Sequence, residues 1–319
     1  MKQIARQIHE HLRVAEKILL IPHQNPDGDA LGSASAMVEY LRGQGRTVQL
    51  FCATTAQDKY KFLAHVDNIS NDPAVFTDPK IDTIILVDSG DTRYAGVDKF
   101  LVGVDATIIN IDHHPTNEKY GHINLVIPTA SSTAEIIYGF FKHNNIAINH
   151  HAATALLTGV VTDTDNFTNP ATSTTALKMA SDLLRRGGNL KLINKNIVKN
   201  KSLDALRIWG ILLARLTKAE EGDIVYTYIT QADLKENNVS ENEADGVANF
   251  LNSMDEATIS LILRETAEGK IKGSFRTTRN DRDVSAMAKK LGGGGHKKAA
   301  GFLTEGTVAE VLKRILTGV

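Results

Sequence analysis

The chain holds a single cysteine, Cys52, one tryptophan, seven prolines and 6% aromatic residues among 319. One cysteine cannot close an internal disulfide, so the disulfide-stapled class is excluded and a reducing, cytoplasmic setting is expected. After Leu50-Phe51, Cys52 reads as a small buried apolar residue. Lys plus Arg 36 against Asp plus Glu 37 leaves a formal charge of -1. That excludes a protein that coats long nucleic acid by charge alone. No uninterrupted apolar run approaches the roughly 20 residues of a membrane helix, so a soluble protein with no membrane partner is expected. The length exceeds one ordinary domain, and 42% hydrophobic with 23% charged residues suffices for two cores.

What the sequence has is apolar runs that end in acids and histidines. Ile18-Leu19-Leu20-Ile21 leads into His23-Gln24-Asn25-Pro26-Asp27-Gly28-Asp29, where Pro26 and Gly28 make a turn and Asp29 favours the start of a helix over 29–43. Ile81 to Val87 ends at Asp88-Ser89-Gly90, and Ala106 to Ile111 ends at Asp112-His113-His114-Pro115. A helix opened by Asn149 runs into Asp163-Thr164-Asp165-Asn166. Runs apolar throughout are strands buried on both faces, and their alternation with helices predicts an α/β domain with a mainly parallel sheet flanked by helices. Such sheets gather ligands at the carboxyl ends of their strands, so His23, Asp27, Asp88 and Asp112-His113-His114 are expected to converge. Any one of these ends alone is ordinarily a turn; their repetition is what carries the reading.

Arg185-Arg186-Gly187-Gly188-Asn189 is a strong stop before a lysine-rich stretch. The expected organisation is a metal-binding catalytic domain over 1–188, a connector over 189–202 and a smaller α+β domain over 203–319. In the latter, helices are predicted over 203–217, 241–253, 283–291 and 307–316, with a hairpin of 258–264 and 270–277 around Glu268-Gly269.

Carboxylates with a minority of imidazoles and no thiolate suit a borderline-hard cation, Mn²⁺ with Mg²⁺ as the alternative. A pair of such ions about 3.5 to 4 Å apart makes hydrolysis of a phosphoester the expected reaction. His9, His11, His65, His122, His143, His150 and His151 lack that acidic context and read as structural or solvent-facing. Gly292-Gly293-Gly294-Gly295-His296 lets backbone approach a ligand and offers N–H groups to an anion. Arg264, Arg276, Arg279, Lys297 and Lys298 supply positive charge nearby in sequence, and Arg276 with His296 is the preferred substrate-binding pair.

Taken together, Asp112-His113-His114, the stretch His23 to Asp29, Asp88-Ser89-Gly90 and Gly292 to Phe302 resemble the DHH/DHHA1 phosphoesterase family over nearly the whole chain. The resemblance implies two Mn²⁺ ions, one on His23, Asp27 and Asp88 and the other on Asp29, Asp88, His113 and Asp163, so that Asp88 bridges. It implies that His114, beside Asp112, contacts or protonates the substrate, and that Gly293, Gly294, Gly295, His296, Arg276 and Arg264 hold its far end. The branch it most resembles hydrolyses short oligoribonucleotides to mononucleotides and 3'-phosphoadenosine 5'-phosphate (pAp) to AMP. Cyclic- or linear-dinucleotide phosphodiesterase activity is the rival within enzymes, and a non-catalytic nucleotide-binding regulator the rival outside them. Substrate shared between two domains predicts a length limit near roughly five nucleotides, and a homodimer stays open. One departure stands out: Asp165 occupies the place of a usual glycine in Asp-Thr-Gly, and is expected to be a surface turn residue.

Overall fold

A computed structural model describes residues 2–198, 202–219, 223–239, 247–251, 258–279 and 281–317. The chain divides into two compact units, Met1–Asn200 and Lys201–Val319.

The first unit runs α1 (Lys2–Leu12), β1 (Lys17–Pro22), α2 (Gly28–Gly43), β2 (Thr47–Phe51), β3 (Ile69–Ser70), β4 (Thr83–Val87), β5 (Thr107–Asp112), β6 (Ile123–Val126), α3 (Thr133–His143), α4 (His150–Asp163), α5 (Thr174–Arg185) and α6 (Leu190–Ile193). Its strands are all parallel in the order β3-β2-β1-β4-β5-β6. Helices α2 to α5 each open on a side-chain cap that accepts from N–H groups of the first turn: Asp27 for α2, Ser132 for α3, Asn149 for α4 and Ser173 for α5. Helices pack over one face of the sheet, around Ile18, Leu20, Met37, Ile109, Phe140, Phe141 and Leu156.

The other face differs from the alternating pattern predicted. Leu19, Ile21, Ile84 and Leu86 are covered there by a short 3-10 helix, Pro73–Thr77, that carries Phe76, and by turns carrying Ala95, Val97 and Leu101. The link from β4 to β5 contains left-handed Gly96 (φ 72°) and Gly103 (φ 74°), which favour successive turns over a helix. The stretch read as a connector is helical through residue 198, and Ile193 is fully buried in the first unit's core.

The second unit contains α7 (Leu203–Ala214), β7 (Thr217–Lys218), β8 (Ile224–Ile229), α8 (Gln231–Glu236), α9 (Val247–Leu251), β9 (Ile259–Glu265), β10 (Ile271–Arg276), α10 (Val284–Lys290), β11 (Gly294–His296), β12 (Ala299–Thr304) and α11 (Val308–Leu316). The rest of the helix predicted over 241–253 lies outside the described residues. Its sheet is mixed, ordered β11-β12-β10-β9-β8-β7, with β8 and β9 parallel and the other pairs antiparallel. One face packs Leu261, Leu263, Phe275 and Phe302 with α10 and α11; the other packs Ile229 and Ile262 with α7 and α9. Among the described residues no helix is long and apolar enough to cross a membrane.

Candidate active site

The parallel strands of the first unit deliver their acids to one edge. His23 follows β1, Asp88 follows β4, Asp112 closes β5, and His113 and His114 come directly after it. Asp27 caps α2 by accepting from the N–H groups of Asp29 and Ala30, both at 3.0 Å, and Asp163 ends α4. Asp88 is left-handed (φ 59°), a conformation Asp tolerates, and this swings its carboxyl between the two neighbouring strand ends.

Three groups of ligand atoms result: His23, Asp27 and Asp88; Asp29, His113 and Asp163; and Asp88, His113 and His114. Within each, the atoms lie within 4.8 Å of one another, a spacing that one cation closes with small side-chain movements. His23 Nδ1 donates to the carbonyl of Gln24 at 2.7 Å, which leaves Nε2 facing Asp88 at 3.7 Å and Asp27 at 3.8 Å. His113 Nε2 stands 3.2 Å from Asp163 and 3.6 Å from Asp88, so Asp88 adjoins both sets.

These acids are crowded; Asp29 and Asp88 are buried and Asp163 partly so, while the Asp27 side chain is half exposed. Burial, and then Asp27, push the Asp88 carboxyl up to about 6; burial, and then Asp29 and Asp88, push Asp163 up to about 10. Asp29 also rises, through burial and then Asp88, although the N–H groups of Thr133 (2.6 Å) and Ala134 (2.9 Å) favour its charged form. Burial lowers His23, but the Asp27 and Asp88 carboxylates outweigh it and the ring's pKa rises. Carboxylates that resist one another's charge, with imidazole the sole basic group among the ligands, form a donor set that a divalent cation relieves.

Asp112 stands behind the ligands. Fully buried, it binds His114 Nδ1 at 2.8 Å through one oxygen and accepts from Asn117 Nδ2 at 2.6 Å through the other. That hydrogen bond is the main reason the His114 pKa rises to about 9, and it turns Nε2 away from Asp112. Asp165 belongs to none of the ligand groups; it is exposed and left-handed (φ 48°), the conformation a glycine would take without strain.

In the second unit, register places the predicted substrate residues. Ser260, Arg276, Ala299 and His296 form one cross-strand row, and Arg264, Lys272 and Leu303 form another on the same face. Lys272, Leu303 and His296 are exposed, so helices leave this part of the face open. Burial, then the neighbouring Arg264, lowers the Arg276 pKa; among the described residues Arg276 makes no ion pair and donates to the carbonyl of Phe275. Arg279, by contrast, is committed to Asp281. The glycine segment is a short hairpin rather than an open loop, and a Cβ on Gly293 would lie 2.1 Å from the Gly301 carbonyl oxygen. Gly293 therefore serves close backbone packing, while Gly294 shares the open face with His296.

Two family models match the chain: the DHH family, N-terminal domain, over residues 17–160, and the DHHA1 domain over residues 221–318. The chain belongs to the DHH/DHHA1 family. Its enzyme class is accordingly hydrolysis of phosphoesters. It is 29% identical to the bifunctional oligoribonuclease and PAP phosphatase NrnA of Thermus thermophilus, over 98% of this chain and 93% of that protein. It is 25% identical to the cyclic-di-AMP phosphodiesterase GdpP of Geobacillus thermodenitrificans, over 98% of this chain but 48% of that protein. The crystal structure of an exopolyphosphatase-related protein from Bacteroides fragilis shares the fold, with TM-score 0.89 at 24% identity over 99% of this chain and 96% of that one.

Four residues of the DHH site escaped the sequence reading. Tyr94 stacks on His23 with ring centroids 4.8 Å apart, Asn117 braces Asp112, and Thr133 donates to Asp88. Gly159 lets α4 approach α2, since a Cβ there would lie 2.5 Å from the Asp29 carboxylate. Ser132 is an ordinary helix-capping residue type, but the reach of its neighbour Thr133 to Asp88 has no local signature.

Proposed function

We propose that this chain is a metal-dependent phosphoesterase that cuts very short oligoribonucleotides to mononucleotides and converts pAp to AMP. The observation that carries the reaction is Asp88, set between two groups of carboxylate and imidazole ligands beside the His114–Asp112 pair. His23, Asp27 and Asp88 are the ligands proposed for one cation, and Asp29, Asp88, His113 and Asp163 for the other. A divalent pair in such a set, Mn²⁺ or Mg²⁺, polarises a phosphoryl oxygen and makes water a stronger acid.

The protein's own part is to orient and to handle the proton. Asp112 holds His114 so that Nε2 would present a proton toward the leaving oxygen. Arg276, Arg264, His296 and the Gly294 backbone are proposed to bind the phosphate or chain end that does not react. Substrate choice is supported by the likeness to NrnA over nearly the full chain. A reducing, cytoplasmic location is part of the proposal, and the free, buried Cys52 thiol is compatible with it.

The GdpP likeness supports a second reading, cyclic-dinucleotide cleavage. The test is a substrate panel with Mn²⁺ and with Mg²⁺: pAp, oligoribonucleotides of two to five units, long RNA, and linear and cyclic dinucleotides. The proposal expects pAp and short RNA to lead, with rates falling beyond roughly five nucleotides and weak salt dependence, because few phosphates are neutralised. A cyclic dinucleotide cleaved fastest would replace it with the second reading; processive digestion of long RNA would remove the length limit.

A further inference from the structure

The N-terminus of α3 spends its hydrogen bonds on the ligand carboxylates. An α-helix leaves its first N–H groups without intrahelical partners. Here Ser132 Oγ takes the N–H of Glu135 at 3.1 Å, and the Glu135 carboxylate in turn accepts from Ser131 N–H at 2.8 Å and Ser131 Oγ at 2.6 Å, so the start of the helix is locked. The two remaining N–H groups, of Thr133 and Ala134, both go to Asp29, one to each carboxylate oxygen, at 2.6 and 2.9 Å. The Thr133 hydroxyl points the other way and donates to Asp88 Oδ1 at 2.8 Å. Thr133 is fully buried, so no water competes for either bond.

We infer that Thr133 is a positioning residue that ties the two ligand groups together, its amide holding Asp29 and its hydroxyl holding Asp88. This rests on the metal-dependent reading above. Asp29 comes from α2 and Asp88 from the end of β4, and each belongs to a different group of ligand atoms. In the crowded cluster each carboxyl repels the next, so an unrestrained Asp88 would rotate away from Asp29. One residue bonded to both fixes their separation before any cation arrives. Outer partners of this kind orient ligands, and their loss costs roughly tenfold to a hundredfold in metal affinity.

The experiment titrates Mn²⁺ into the full chain and follows the loss of the free-ion electron paramagnetic resonance signal. Thr133→Val keeps shape and removes only the hydroxyl; Thr133→Ser keeps the hydroxyl and removes the methyl. The expected result is roughly tenfold to a hundredfold weaker Mn²⁺ binding in Thr133→Val, with Thr133→Ser close to the native chain. Should Thr133→Val not fold, Thr133→Ser against Thr133→Ala makes the same comparison. Native affinity in the hydroxyl-free variant, or equal weakening in the serine and hydroxyl-free variants, would overturn the inference and leave the metal reading standing. Absence of Mn²⁺ binding by the native chain would overturn both.

Discussion

Asp29, Asp88 and Asp112 of the first unit are 0%, 2% and 0% exposed, whereas Lys272 and His296 of the second are exposed and Arg276 is half-buried. The first set consists of like charges forced together at two strand ends and the first turn of α2, each carboxylate held by named donors. The second is a spread of cations on a sheet face that helices leave partly open. Burial makes the acids interdependent, since each carboxylate opposes the charge of the next and removing a hydrogen-bond donor leaves its carboxylate uncompensated. Lys272 and His296 stand apart in water, Arg276 only partly so and Arg264 is buried, so the proposed contributions of the exposed cations to binding should be separable. On the proposed function the chemistry would fall to one unit and the grip on substrate to the other, and both parts of that proposal can be tested.

The largest effect is expected at Asp88. Asp88→Asn should lower kcat by roughly a thousandfold or more and weaken Mn²⁺ binding, because two ligand groups share that carboxylate. Calorimetric Mn²⁺ titration alongside steady-state kinetics checks it; a variant that keeps both would dissolve the contrast. Arg276→Ala should act differently, raising KM roughly tenfold, about 1.4 kcal/mol, with kcat little changed. A kcat collapse at constant KM would move Arg276 to the reacting centre.

A third expectation concerns the second unit's scaffold. Asp233 Oδ1 accepts from Arg215 at 2.7 Å; the Asp233 side chain is 11% exposed and that of Arg215 32%, so the acid is the shielded partner. The Arg215 guanidinium, with the Thr230 hydroxyl and N–H, holds the Asp233 carboxyl well below its ordinary value despite burial. A depressed native pKa means the stabilisation is present above the unfolded value near 3.9 and fades as pH falls through the native one. Asp233→Asn should cost roughly 1–3 kcal/mol at neutral pH, and that deficit should shrink in acid. Denaturant melts at several pH values measure it; a deficit independent of pH down to acid would rule out the linkage. The smallest effect belongs to Asp165→Gly, which should leave kcat, KM and Mn²⁺ affinity within about twofold, since the exposed left-handed position suits glycine. A larger loss would make Asp165 a working part of the site.

Much of this was legible because it is local. Three apolar runs and one helix that lead into Asp or His, and carboxylates without thiolates, are statements about neighbours in sequence, and side-chain chemistry does not depend on the fold. The hairpin around Glu268-Gly269 followed equally from strand composition and a turn. Other features were open to sequence reasoning in kind but not in place: Gly292 to Gly295 marked close backbone approach, yet only the pairing of β11 with β12 shows which neighbour is approached.

By itself, then, the order of residues determined the parallel sheet, the hard-ligand chemistry and the cationic end of the chain, since these follow from periodicity and residue type. Tertiary structure alone decided that helices cover one face and turns the other, that Arg276 and His296 share a row, and that Gly159 makes room for Asp29. It also decided that Thr133 meets Asp29, 104 positions away, and Asp88, 45 positions away. Contacts across such separations are set by how whole elements pack, and no local propensity encodes them.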